Sequence, residues 1–318
     1  MINAFLGRRV LVTGATGFIG GGLARRLRDL GAEVHGASRR EIQKQPPCQH
    51  WWRADLGEIS EARRLLADAR PEIVFHLAGL ASGARELAGV LPMLRANLLA
   101  VVNLLVAATE QRLGRLVLAG SLEEPAVHDV ATAPHSPYTA AKLGARAYAR
   151  MCHALYGTPV VCPRLFMVYG PGQPDVNKLI PYVTLSLLRD EPPALSSGSR
   201  PVDWIYIDDV VDALLAAGMA EGVEGRTLDV GSGRLVSVRQ VVRQIERLVD
   251  TKVQARFGAV QERALEQVRV ADVEPTAACL GWRPRMPLEE GLRRTVDLYR
   301  SHEVAAVGAQ ATQVKGGA

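Results

Sequence analysis

Short apolar runs alternate, along the first half of the chain, with longer segments whose apolar residues recur every three or four positions. Val10, Leu11 and Val12 make a run of strand length, and Leu23, Ala24, Leu27 and Leu30 then recur at helical spacing until Gly31. Glu33 to Ala37 reads as a second strand, Trp51 to Leu56 holds a third, and Ile59 to Ala69 is a helix. Ile73 to Ala78 is a fourth strand followed by Gly79, Pro92 to Gln111 a long helix, and Arg115 to Gly120 a fifth strand. Pro137 to Tyr156 is a second long helix, and Pro159 to Arg164 leads into a sixth strand. Strands separated by helix-length segments predict an α/β fold with a doubly wound parallel sheet, in which ligands sit at the carboxyl ends of the strands.

The first strand and helix enclose Gly14, Gly17 and Gly20. Strand, glycine turn and helix together place backbone N–H groups and a helix N-terminus against a pyrophosphate, the Rossmann-like arrangement. Gly14 permits the tight turn, Gly17 lets the backbone approach the phosphates, and Gly20 allows close packing of helix on strand. After Tyr169-Gly170-Pro171-Gly172 the elements shorten and Pro and Gly become frequent. Residues 1–170 are therefore expected to form the dinucleotide-binding domain, with a strand near 226–231 returning to it. Residues 171–304 are expected to form a smaller interleaved substrate domain, and 305–318, rich in Ala, Gly and Gln, a disordered tail.

Composition narrows the functional classes. The 318 residues carry 38 basic and 33 acidic side chains, a mild excess without a basic run interleaved with aromatics, so nucleic-acid binding is not indicated. Cys48, Cys152, Cys162 and Cys279 are far apart and form no C-x-x-C pair, so neither a disulfide framework nor a metal site is expected. Without a leader-like N-terminus or a long apolar run, the protein is expected to be cytoplasmic and without membrane contact.

Tyr138 and Lys142 lie four residues apart at the start of the second long helix, so phenol and ammonium share one face. An ammonium nearby favours phenolate and is expected to lower the tyrosine's pKa, which suits proton exchange with a hydroxyl or carbonyl. Ser121 ends the strand between the glycine turn and this helix. With Asp55-Leu56, His76-Leu77-Ala78, Asn97, Arg164, Val168-Tyr169-Gly170-Pro171-Gly172, Ile207 to Ala213 and Leu280-Gly281-Trp282-Arg283-Pro284, these motifs stand in order along the chain. To about residue 300 it resembles the extended short-chain dehydrogenase/reductase family, in its nucleotide-sugar epimerase/dehydratase/ketoreductase branch.

The resemblance implies roles residue by residue. Tyr138 is the acid/base, Lys142 holds the nicotinamide ribose, and Ser121 hydrogen-bonds the reacting sugar oxygen. Gly14, Thr16, Gly17, Phe18, Ile19 and Gly20 cradle the cofactor, Asp55 and Leu56 flank its adenine, and Leu77, Ala78, Gly79 and Asn97 line its phosphates and ribose. Glu123, in Ser121-Leu122-Glu123-Glu124, matches a Glu that handles a second proton in branch members that dehydrate or decarboxylate sugars. It leans the reading toward a dehydratase or 4-ketoreductase acting by hydride transfer at sugar C4, with a simple 4-epimerase as the alternative. Outside enzymes, the alternative is an NADP-binding sensor or scaffold. After the second strand Ser38-Arg39-Arg40 stands where NAD enzymes place an acid, which favours NADP, with NAD as the alternative. The substrate implied is a nucleotide-diphosphate sugar, with Met167, Lys178, Leu179, Arg200 and Arg263 as its candidate contacts. Met167 departs from the Asn of most relatives, Pro201-Val202 displaces an expected Arg so that Arg200 stands upstream, and Arg269 is a further candidate cation. In similar proteins the two long helices pair across a twofold axis, which implies a homodimer.

Overall fold

The apolar run of the first strand becomes β1 (Arg9–Thr13), whose Val10, Leu11 and Val12 have no solvent exposure. The structure, a computed structural model, describes residues 4–39, 47–124, 133–262 and 268–315. Along the chain follow α1 (Phe18–Asp29), β2 (Glu33–Ser38), β3 (His50–Arg53), α2 (Ile59–Ala69), β4 (Ile73–His76), α3 (Val90–Leu94) and α4 (Ala100–Glu110). Then come β5 (Arg115–Leu118), β6 (Gly120–Ser121), α5 (Pro137–Tyr156) and β7 (Val160–Leu165). Next are β8 (Met167–Tyr169), α6 (Leu179–Leu188), β9 (Ala194–Leu195), β10 (Pro201–Tyr206), α7 (Ile207–Met219) and β11 (Thr227–Val230). The chain ends with β12 (Leu235–Ser237), α8 (Val238–Val249), β13 (Arg256–Phe257), α9 (Val273–Leu280) and α10 (Leu288–Lys315).

One compact unit comprises Met1–Phe166, Asp208–Gly231 and Ala271–Arg283. Its strands run in the order β11-β7-β5-β4-β1-β2-β3, all pairs parallel, with β6 paired to β7. This is the doubly wound sheet expected, and Thr227–Val230 forms its edge strand against Cys162–Leu165. The order reverses beside β1, so the crevice used by ligands in such sheets opens above the end of β1, between it and β4. Leu11, Val74 and Leu116 from the sheet pack with Leu65, Leu66, Leu104, Leu105 and Ala149 from the helices to form the core.

The second unit comprises Met167–Ile207, Ser232–Val270 and Pro284–Ala318. Its three-stranded sheet runs β12-β10-β8, and α6, α8 and α10 pack against one another. Ser237 caps α8 and exchanges hydrogen bonds with Gln240, so both ends of the capping box are made. The buried Asp203 carboxylate accepts from Ser232 N (2.7 Å) and Gly233 N (3.0 Å), which holds the turn before β12.

Several boundaries differ from the pattern for local reasons. The third strand stops at Arg53 because Asp55 closes a turn, its carboxylate accepting from Gly57 N at 2.9 Å. The helix expected over Pro92 to Gln111 is interrupted by a π-helical turn, Arg95–Leu99, which tucks Asn97 into the interior. The backbone of α10 stays helical through Lys315, past the Ala305 boundary expected for a disordered tail; Ala and Gln are good helix formers. The stretch Leu87–Glu110 is long and apolar enough to cross a membrane, which the run lengths did not suggest. In this fold its second half supplies core residues Ala100, Val101, Leu104, Leu105 and Ala108.

Candidate active site

The glycine turn has a different steric reason at each position. Gly14 sits at φ +75°, and a Cβ there would lie 2.8 Å from Ala78 N and from Leu77 C. A Cβ on Gly20 would come within 2.1 Å of Gly14 O and 2.7 Å of Gly14 C. Gly17, at the N-cap of α1, would meet only Gly14 O, at 3.2 Å, and is exposed like Thr16. No side chain caps α1 and its first turn has no acid, so its leading amides face outward for an anion. Phe18 and Ile19, in that first turn, are half-buried. Thr13 ties the turn to the next strand: its hydroxyl accepts from Ala78 N (3.2 Å) and lies 2.9 Å from His76 Nδ1. Burial, with the Lys142 charge, pushes His76 down to about 3, so the ring is neutral. These features fit a dinucleotide cradle.

The surrounding candidates are placed as follows. Ser38 ends β2 and Arg39 follows it, exposed; Arg40 lies outside the described residues. Asp55 pairs with Arg95 at 3.1 Å, and Leu56 is buried. Asn97 spends its carboxamide on the loop after β4: it accepts from Leu80 N and donates to Leu80 O, both at 3.0 Å. Asn97 thus fixes the loop at Leu80 and crowds Gly79, where a Cβ would lie 2.4 Å from its Oδ1.

Ser121, Glu123, Tyr138 and Lys142 are brought together in this unit. Ser136 caps α5 and Pro137 occupies its first turn, which sets the phase that points Tyr138 and Lys142 to one side. Tyr138 hydrogen-bonds the Ser121 side chain, and Glu123 N donates to Ser121 Oγ at 3.3 Å. Lys142 Nζ donates to Ala119 O at 2.8 Å and lies 5.9 Å from the centre of the Tyr138 ring. The expected lowering of the phenol is corrected. Burial pushes Tyr138 up to about 12; the Ser121 hydrogen bond opposes this, and Glu123 and Glu124 add to it. Burial also lowers Lys142, weakening the very charge that was to act on the phenol.

Three residues that the motif reading passed over belong to the same cluster. His135 Nε2 lies 3.5 Å from Glu123 Oε2 and 3.3 Å from Thr139 Oγ1, with the ring largely buried. Its Nδ1 has no hydrogen-bond partner among the described residues. Glu124, next to the carboxylate singled out, is the more deeply buried, and it pairs with Arg146 two turns beyond Tyr138. The recurrence of Tyr138, Lys142 and Arg146 at four-residue steps was the available signal for Arg146.

In the second unit Met167 begins β8, Lys178 precedes α6 and lies 3.9 Å from Asp175, and Leu179 is the first residue of that helix. Arg200 precedes β10, its carbonyl accepting from Val238 N at 3.0 Å. Arg263 lies outside the described residues. One group among the described residues, Glu33, His35 and His50, has metal-ligand spacing. Trp52 Nε1 donates to His35 Nδ1 at 3.0 Å, which leaves the ring proton on Nε2, the atom 3.0 Å from Glu33. That nitrogen donates to a carboxylate and has no lone pair for a metal.

Residues 10–231 match the family model for the NAD dependent epimerase/dehydratase family. The UDP-glucuronate 4-epimerase of Thermodesulfobacterium geofontis is 27% identical, over 90% of this chain and 94% of its own length. The dTDP-glucose 4,6-dehydratase of Neisseria meningitidis is 28% identical, over 92% of this chain and 93% of its own. The solved structure of MoeE5 in complex with UDP-glucuronic acid and NAD superposes with a TM-score of 0.80 at 30% identity, covering 92% of this chain and 99% of that one. With the family model spanning more than half of its length and the glycine cradle and Ser121–Tyr138–Lys142 cluster in place, the chain belongs to the NAD dependent epimerase/dehydratase family, enzymes of the extended short-chain dehydrogenase/reductase type.

Proposed function

We propose that the chain acts on a nucleotide-diphosphate sugar at its C4 hydroxyl, with Tyr138 moving the hydroxyl proton. The observation that carries this reading is the placement of Tyr138 beside Ser121 at the carboxyl end of β6, with Lys142 on the same helix face and its Nζ 5.9 Å from the ring centre. A nicotinamide cofactor, when bound, supplies the hydride acceptor and donor for C4; the residues that would hold it are Gly14, Thr16, Gly17, Phe18, Ile19 and Gly20. Ser121 Oγ orients the reacting oxygen, and the buried, protonated phenol returns a proton when a C4 ketone is reduced. Arg39 directly after β2, where no acid stands, supports NADP; the NAD held by MoeE5 supports NAD as the alternative.

Glu123 supports a dehydratase or 4-ketoreductase over a simple epimerase. Its carboxylate, 3.5 Å from His135 Nε2 and beside Tyr138, offers a second proton carrier that an epimerase does not need. The epimerase reading keeps the support of the UDP-glucuronate 4-epimerase relative. Lys178, Arg200 and Arg263 are proposed as cations for the diphosphate. The exposed Leu87, Leu91 and Leu94, with Tyr148, Leu155 and Tyr156 of α5, support a homodimer. Four unpaired cysteines suit a reducing cytoplasm.

The test is incubation in D2O with NAD or NADP and UDP-glucuronate, UDP-glucose or dTDP-glucose, followed by NMR and nicotinamide absorbance. Deuterium at C5 selects the dehydratase reading, and a C4 epimer without deuterium at C5 selects the epimerase. A supplied 4-keto sugar reduced by added NADH or NADPH, with the matching loss of nicotinamide absorbance and no C5 exchange, selects the ketoreductase. No change in any sugar and no absorbance refutes all three.

A further inference from the structure

Glu124 has the burial of a core residue and the charge of a surface one, being 1% exposed. Its Oε1 accepts from Ser121 N at 2.7 Å, while its own amide donates to Ser121 O at 3.0 Å. The turn Ser121–Glu124 is thus closed twice, once by backbone and once by side chain. Gly120 makes the room: a Cβ there would lie 2.7 Å from Glu124 Oε1. The other oxygen, Oε2, faces Arg146 Nε at 3.4 Å, and Arg146 is buried too. A cavity of only about 10 Å³ adjoins Glu124, Lys142, Arg146 and Cys162, so the carboxylate has little freedom to move.

These contacts form a ladder. One face of α5 meets the segment 119–124 at three successive turns: Tyr138 on Ser121, Lys142 on Ala119 O, and Arg146 on Glu124. Only the first rung carries reacting atoms. The last fixes where the first can be, because the carboxylate that Arg146 holds grips the amide of the serine itself. Burying a carboxylate and a guanidinium together is costly unless the geometry is good, and removing one leaves the other uncompensated. Such a pair adds little to a strand end that β7 already holds through Leu122 N and Leu165 O at 2.9 Å. Its specific effect falls on the position of Ser121 Oγ.

We propose that Glu124, anchored by Arg146, is a positioning residue that sets the Ser121 hydroxyl against Tyr138. The proposal rests on the reading of Ser121 and Tyr138 as the groups that meet the reacting hydroxyl. It assigns the second Glu of Ser-x-Glu-Glu a task different from that of the first: Glu123 handles a proton, whereas Glu124 handles geometry.

The experiment is a double-mutant cycle on the full chain, using whichever of UDP-glucuronate, UDP-glucose, dTDP-glucose and a 4-keto sugar with NAD(P)H is turned over. Circular dichroism and NAD(P) affinity serve as fold controls. Ser121→Ala and Glu124→Ala should each lower kcat at least about tenfold, with KM and cofactor affinity within about twofold of the unmodified protein. The double variant should be no worse than the poorer single, because both act through one hydroxyl. Glu124→Gln combined with Arg146→Gln keeps an acceptor without a buried charge and should recover most of the lost kcat. If Glu124→Ala does not fold, Glu124→Asp keeps the charge for Arg146 but withdraws the oxygen from Ser121 N, and should show the same fall in kcat. Full kcat in a folded Glu124→Ala or Glu124→Asp, or losses that multiply with Ser121→Ala, would overturn the positioning role and leave the site reading intact. An undiminished Ser121→Ala, or no turnover of any of the three sugars or of a 4-keto sugar supplied with NAD(P)H, overturns the site reading and this proposal with it.

Discussion

The three glycines of the nucleotide turn look alike in sequence, yet alanine should act differently at each. At Gly20 the new methyl would lie 2.1 Å from Gly14 O, a backbone atom that moves only if strand and helix separate. Overpacking of this kind costs up to about 3 kcal/mol, and alanine's better helix propensity returns about 1 kcal/mol, leaving a loss near 2 kcal/mol. At Gly14 the left-handed φ of +75° costs an alanine about 1–2 kcal/mol, and contact with Ala78 N at 2.8 Å adds to it. At Gly17 the backbone is extended and the one contact is 3.2 Å, so the loss should stay below about 1 kcal/mol. In thermal melts, Gly20→Ala and Gly14→Ala should therefore fall by about 4–8 °C and Gly17→Ala by less than about 3 °C. Calorimetric titration with NAD(P) should reverse the ranking of clean effects. Gly17→Ala places a methyl where the pyrophosphate approaches α1, and should weaken binding at least about tenfold, or about 1.4 kcal/mol, in a protein otherwise as stable as before. A Gly17→Ala protein that binds normally, or a Gly20→Ala protein that melts like the unmodified one, would refute this division of labour between fold and ligand.

Tyr138→Phe removes the proton carrier and keeps the ring; turnover should fall about 10²–10⁴-fold while cofactor affinity, by calorimetry, changes little. If Arg39 meets a 2′-phosphate, NADP should bind at least about tenfold tighter than NAD, and Arg39→Ala should erase the difference; equal affinities in the unmodified protein would exclude it. His76 takes up a proton at its ordinary value of 6.5 when unfolded but resists until about 3 when folded. Its contribution is thus complete above about pH 6.5 and lost as pH falls toward 3, at up to about 1.4 kcal/mol per pH unit. Urea unfolding between about pH 7 and 5 should show a shallower slope in His76→Gln. Light scattering of Leu91→Arg, at an exposed position of α3, should show a monomer if the two long helices form the dimer face.

Much of the fold was written locally. The boundaries of α5 are those the pattern predicted, because Ser136 as cap, Pro137 in the first turn and Gly157 at φ +68° each act within a few residues. Tyr138 and Lys142 share a face for the same reason, since helical periodicity is a local property. The glycine turn was legible because a strand, three glycines and a helix need no distant partner to be recognised.

What Lys142 touches and how Tyr138 ionises depended on the rest of the chain. Desolvation is set by everything packed around a group, so spacing predicted a lowered phenol where burial raises it to about 12. The π-helical turn at Arg95–Leu99 follows from what Asn97 meets across the gap, the backbone of Leu80, which no helical pattern contains. Glu123 and Glu124 are neighbours in sequence, and motif resemblance selected the first. The tertiary structure separated them: pairing of β6 with β7 turns one carboxylate toward His135, and drives the other inward beneath Ser121, where Arg146 on the facing helix receives it.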